Sequence, residues 1–163
     1  MAKSGKILTL PILAAVGLGL SFPSSGQSAG DLSRQAAIEV TVDLGKPGQH
    51  VFVPSQLKFE TGKLYKLVLR NPSEDPHYFT SDAFTQMIFT RKVQVTQQRD
   101  GKSVTLAEFK GAIREIEVYP GHAAEWWFVP VAAGRARDLR CGIVGKDNKS
   151  HAEHGMVGEI VIE

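Results

Sequence analysis

Cys141, His151 and Met156 fall in one short stretch with the spacing Cys-x9-His-x4-Met. A thiolate, an imidazole and a thioether are soft or borderline ligands, and together they select copper, particularly at a site serving Cu(I) and Cu(II) alike. Two imidazoles and one thiolate in a trigonal plane, with a weak axial thioether, need one more histidine. The candidate is His77, in Asn71-Pro72-Ser73-Glu74-Asp75-Pro76-His77. His154 competes with His151, but only Gly155 separates it from Met156. That bite is too short for both side chains to reach one metal, so His151 is preferred and His154 is read as an exposed neighbour. His122, after Pro120-Gly121, reads as a turn residue, with a secondary copper contact as the alternative. His50 reads as a surface residue near a strand start, and Met87 as core.

The chain has a single cysteine, whose meaning depends on compartment. Lys3 and Lys6 precede Ile7 to Leu20, an uncharged, mostly apolar run of 14 residues, shorter than the ~20 that span a bilayer. Small residues follow at Ser24-Ser25-Gly26-Gln27-Ser28-Ala29. This pattern predicts a signal peptide over 1–28, with a retained anchor as the alternative. A loose tether over 29–37 and one domain over 38–163 then follow. In an exported chain a lone cysteine pairs with another chain, fills the core, or ligates a metal. Removing Lys3 and Lys6 from the 19 basic residues leaves them equal to the 17 acidic ones. A mature charge near zero gives no reason to expect nucleic acid or an anionic membrane surface as a partner.

The elements that must position these ligands read as β throughout. Ile38, Val40 and Val42 alternate with Glu39, Thr41 and Asp43, the period of a half-buried strand. Residues 56–60 and 64–70 read as a hairpin across Thr61-Gly62-Lys63. Strands follow over 114–119, 123–131, 137–141 and 157–163. Trp126 and Phe128 fall on one face and Trp127 on the other, while Ile160 and Ile162 face inward. About seven short strands punctuated by Gly and Pro predict an all-β Greek-key β-sandwich. One insertion breaks the pattern: Ser81 can cap a short helix through Phe89, and residues 97–102 read as an exposed loop with a turn at Asp100-Gly101. The whole insertion is expected as a flap on the sandwich edge.

A Pro-His at a strand end, followed by a C-terminal Cys…His…x4-Met loop leading into the last strand, resembles the cupredoxins, the group that includes plastocyanin and azurin. Gly155-Met156-Val157-Gly158-Glu159-Ile160 is similar to that family's C-terminal close. The resemblance covers residues 38–163 and implies one type 1 (blue) copper per chain, held by His77, Cys141, His151 and Met156 and cycling between Cu(I) and Cu(II). The chain departs from many members at two positions, with Tyr78 after the first histidine and Gly142 after the cysteine.

The resemblance implies a periplasmic one-electron carrier, or one of the thylakoid lumen, that is monomeric and free of the membrane once its signal is cleaved. Redox partner proteins would dock transiently near His151, whose imidazole is expected at the surface as the electron port. A copper-handling protein on the same fold, with copper-handling partners, is the alternative, and a metal-free interaction module is a third reading. No acid–base pair or open coordination position points to an enzyme.

Overall fold

The computed structural model describes Met1 and residues 35–163; the expected signal peptide and most of the tether lie outside the described residues. Among the described residues, eleven strands form two facing sheets. The first contains β1 (Ile38–Lys46), β2 (Gln49–Val53), β4 (Tyr65–Arg70), β6 (Ile88–Arg99), β7 (Lys102–Phe109) and β9 (Ala123–Pro130), in the order β2-β1-β4-β9-β6-β7. The second contains β3 (Gln56–Phe59), β5 (His77–Thr80), β8 (Glu115–Val118), β10 (Gly134–Arg140) and β11 (Val157–Ile162), in the order β3-β11-β10-β5-β8. The sheets are mixed: β1 runs parallel to β4 and β11 parallel to β3, while the other pairs are antiparallel. The all-β sandwich expected from the alternation is therefore the fold. Among the described residues no helix is long and apolar enough to cross a membrane.

Inward alternate positions from both sheets, joined by Phe84 from the short helical segment, meet in an aromatic core. Phe59, Phe79, Phe84, Trp126 and Phe128 are all essentially inaccessible, and their rings meet mostly edge to face. Phe128, for example, packs against Phe59 at 5.1 Å and Phe84 at 5.2 Å, near 90° in both cases. This is the geometry the ring quadrupole favours. Trp126 and Phe128 face inward as the alternation requires, with Trp127 on the other face under Lys66 and Lys92. Ile160 and Ile162 are buried, whereas Glu159 takes Arg135 and Arg137 on the outer side.

Two expectations are corrected. β3 and β4 do not form a hairpin: β3 pairs with β11 and β4 with β1 and β9. Thr61 and Gly62 carry the chain from one sheet to the other, so Phe59 and Tyr65 meet edge to face across the core at 4.8 Å. Alternation in both segments fits facing strands as well as adjacent ones. The insertion is also not an edge flap. Helix α1 covers only Asp82–Gln86, capped by the Ser81 side chain, which accepts from the Phe84 N–H. Ile88 then opens the twelve-residue β6, which lies inside the first sheet against β9. The polar composition after Val95 marks where β6 and β7 run on as a two-stranded ribbon, turning at Asp100-Gly101 with φ of 51° and 72°.

Phe128→Ala is expected to cost about 3–5 kcal/mol of unfolding free energy through the cavity it leaves. Leu106→Ser, on the exposed outer strand β7, is expected to change it by less than about 0.5 kcal/mol. Urea unfolding of the two variants measures both.

Candidate metal centre

Three chain segments meet at one end of the sandwich. β5 begins at His77, the end of β10 delivers Cys141, and the turn-rich loop from Cys141 to β11 supplies His151 and Met156. That loop is knotted by its own backbone. Cys141 N–H donates to Met156 O at 3.1 Å, Ala152 N–H to Cys141 O at 2.9 Å, His151 N–H to Ile143 O at 2.8 Å and Met156 N–H to His151 O at 2.9 Å. The x9 and x4 spacings thus close a compact knot whose backbone bonds tie all three residues together. Cys141, His77 and Met156 are fully buried, and His151 is 3% exposed.

The donor atoms already form a triangle. His77 Nδ1 and His151 Nδ1 stand 3.1 Å apart, and Cys141 Sγ lies 3.8 Å from the first and 3.5 Å from the second. A trigonal metal at about 2.0 Å from nitrogen and about 2.3 Å from sulfur requires separations of roughly 3.5 Å between nitrogens and 3.7 Å from nitrogen to sulfur. The triangle is within a few tenths of an ångström of that. Three of the sequence-derived side chains are therefore gathered in one buried cluster, Met156 is buried and bonded to two of them through its backbone, and the donor set fits one type 1 copper. His154 is held outside it, paired with Asp147 at 2.7 Å, and His122 lies in the Pro120-Gly121 turn with Nδ1 against Pro120 O at 2.8 Å.

Hydrogen bonding decides which nitrogen of His77 faces the centre. Ser73 Oγ has one proton, and its acceptors are Asn71 Oδ1 at 2.7 Å and Asp75 O at 3.0 Å. Neither can donate to it, so the hydroxyl accepts from His77 Nε2–H at 2.9 Å. The lone pair of neutral His77 then sits on Nδ1, inside the triangle, as an orienting partner of a metal ligand should leave it. In the metal-free protein a proton on His151 Nδ1 can bridge the two nitrogens, and a metal ion would replace it. Asn71, itself buried, accepts from Ser73 N–H and donates to Asp75 O and Val118 O, both at 2.7 Å. It fixes the loop that carries the serine. The sulfur receives Tyr78 N–H at 3.3 Å. The backbone therefore links the two ligand loops at Tyr78 and Cys141.

Burial governs the titration of these groups. Loss of solvent lowers His77 to about 4, with His151 and His50 adding to the effect. His151 is lowered for the same first reason, with His50 next. Burial raises the Cys141 thiol, opposed by the N–H groups of Tyr78 and Ile143. Both imidazoles are thus kept neutral and able to ligate, and a bound cation supplies the charge that stabilises the thiolate.

Four residues that complete the site are missed or misread from sequence. Ser73 and Asn71 carry a faint signal, since Asn-Pro-Ser is a turn-forming pattern. Gly45 carries none. It sits in β1 with φ of +82°, at the irregularity between Leu44 and Lys46, and a Cβ there would lie 2.5 Å from His77 Nε2 and 2.8 Å from Ser73 Oγ. His50 reads as surface, yet its ring stacks on His151 with centroids 3.8 Å apart and planes at 14°. The expectation that His151 reaches the surface is corrected accordingly: His50 covers it.

No family model and no curated protein matches the chain. Among solved structures, it is similar to a multicopper oxidase from Campylobacter jejuni (20% identity, TM-score 0.47, 65% of this chain and 20% of that one). It is also similar to an auracyanin from Roseiflexus castenholzii (12%, 0.46, 78% and 99%) and to a copper nitrite reductase from Nitrosomonas europaea (12%, 0.48, 84% and 52%). The chain thus spans about a fifth of the oxidase and half of the reductase. The fit to a metal rests on the donor geometry, which is independent of these likenesses.

The lowered histidines make the metal-free fold acid-sensitive. The unfolded chain takes up protons near 6.5, whereas folded His77 resists until about 4. The stability from its neutral burial is therefore complete above about 6.5 and lost as pH falls through that interval. Thermal unfolding of the metal-free protein is expected to shift downward across this window, and with a shallower slope in His77→Phe.

Proposed function

We propose that this chain is an exported type 1 copper protein that carries single electrons, working in the periplasm. The observation that carries the proposal is the buried Nδ1–Nδ1–Sγ triangle, preset where the start of β5 meets the loop from Cys141 to β11. Copper bound there supplies a one-electron Cu(I)/Cu(II) couple. The protein's contribution is to hold the ligands in one arrangement for both oxidation states, so that little reorganisation accompanies transfer. His77 and His151 would hold it through Nδ1, Cys141 through its thiolate and Met156 through its thioether. Ser73 keeps His77 in the right tautomer, and the Tyr78 N–H on sulfur tunes the potential.

Redox partners would meet the face above His151 through the small, short-lived interface that suits electron exchange, with the chain acting as a monomer. A second reading, copper storage or delivery on the same fold, draws on the imidazoles gathered at this end. His50 lies 5.9 Å from His154 and 3.8 Å from His151, ring centre to ring centre. Fast electron self-exchange with slow loss of Cu(I) supports the carrier, and the reverse supports handling.

One equivalent of Cu(II) added to the purified protein is expected to give an intense visible thiolate-to-copper band, absent in Cys141→Ala. Absence of both band and stoichiometric binding in the unmodified protein overturns the proposal. Ser73→Ala is expected to retain the band and weaken copper affinity by roughly 10–100-fold, the usual effect of removing a ligand's orienting partner. Competition with a copper chelator measures it.

A further inference from the structure

His50 has no place in a site of two imidazoles, a thiolate and a thioether, yet it is packed into this one. It lies on β2, just after the turn at Pro47-Gly48, and is half-buried. Its ring is nearly parallel to His151, meets His77 edge-on at 5.6 Å and 74°, and tilts toward His154 at 5.9 Å. Ligand nitrogens of His50, His77 and His151 all fall within 4.8 Å of one another. Its Nδ1 is nonetheless buried with no hydrogen-bond partner.

The stacking separates two roles for this ring. An imidazole lone pair lies in the plane of its ring, so a metal held by His151 Nδ1 lies close to the His151 plane. With the rings 14° from parallel and 3.8 Å apart, that point is well out of the His50 plane. No nitrogen of His50 is aimed at it. What His50 presents toward the site is a flat, close-fitting surface over the imidazole that would otherwise face solvent. Cys141 is wholly buried, its sulfur 3.5 Å from the His151 Nδ1 that belongs to the covered ring.

We propose that His50 is a positioning residue that closes the metal site: its ring seals the His151 side against water and small ligands and holds His151 in place by stacking. The inference rests on the copper reading above. A metal site that admits an outside ligand can bind and activate substrate, whereas a sealed one passes electrons only. His50 is thus the residue that decides between the two behaviours. The need at this position is for a flat ring rather than a donor nitrogen, and the unpartnered Nδ1 is a cost of supplying it.

The test compares His50→Ala with His50→Phe, which keeps a flat ring and removes the nitrogens. In the metal-free protein, modification of Cys141 by methyl methanethiosulfonate is expected to speed up about tenfold in His50→Ala, as local opening becomes easier. In His50→Phe it should stay near the unmodified rate. In the Cu(II)-loaded proteins, azide is expected to add a new absorption band to His50→Ala only. If His50→Phe behaves as His50→Ala in both arms, the nitrogen is the functional part and the proposal is overturned. It is equally overturned if His50→Ala remains as closed as the unmodified protein. Failure of the unmodified protein to show a copper band defeats the copper reading instead, and the thiol arm, which uses no metal, still reports on the cover.

Discussion

The hydrogen bond from His77 Nε2 to Ser73 Oγ settles the chemistry of the whole site, because it chooses the nitrogen left with a free lone pair. Ser73 can play that part because its only proton is committed to Asn71 or Asp75. Asn71 in turn is spanned between the Asp75 and Val118 carbonyls. Gly45 completes the constraint from the other side, where β1 passes so close to the ring that no side chain fits. The tautomer and orientation of His77 in the triangle depend on this short chain of contacts being fully satisfied. A buried polar network with one member missing would leave an orphaned group in a low-dielectric interior.

Burial has opposite effects on the two kinds of ligand, and the balance between them explains the site's character. It favours neutral histidine, which is the ligating form, and disfavours thiolate, which is also the ligating form. Cys141 therefore needs compensation that the histidines do not. It receives part of it from backbone N–H groups, and a bound cation would supply the rest. Such a pocket holds its thiol idle and comparatively unreactive until metal arrives.

Much of this is legible in the sequence because it depends on local spacing. Cys141, His151 and Met156 belong to one loop, and alternation places Trp126, Phe128, Ile160 and Ile162 on the inner face. His77 can be named because ligand type and a strand end coincide there. What escapes depends on distant parts of the chain meeting. Residues 56–70 alternate in the same way whether they form a hairpin or face each other across a core, and only β1, β9 and β11 decide which. Gly45 and His50 look like an ordinary turn and an ordinary surface residue. Their roles exist only once the β1–β2 hairpin lies over the end of β5. The insertion misleads for a more local reason. Ile88 follows so closely on a well-capped helix that a helical reading runs past Gln86 into the first residues of β6.

The site is divided along the chain in a way that bears on how it assembles. Three donors lie within the stretch from Cys141 to Met156, whereas His77 stands 64 residues from Cys141 and 74 from His151. Closing such long loops costs entropy that only the finished sandwich repays. The C-terminal segment by itself carries three of the donors without the imidazole whose free nitrogen Ser73 fixes. The full set of donors exists only in the folded sandwich, where His77 has joined the other three.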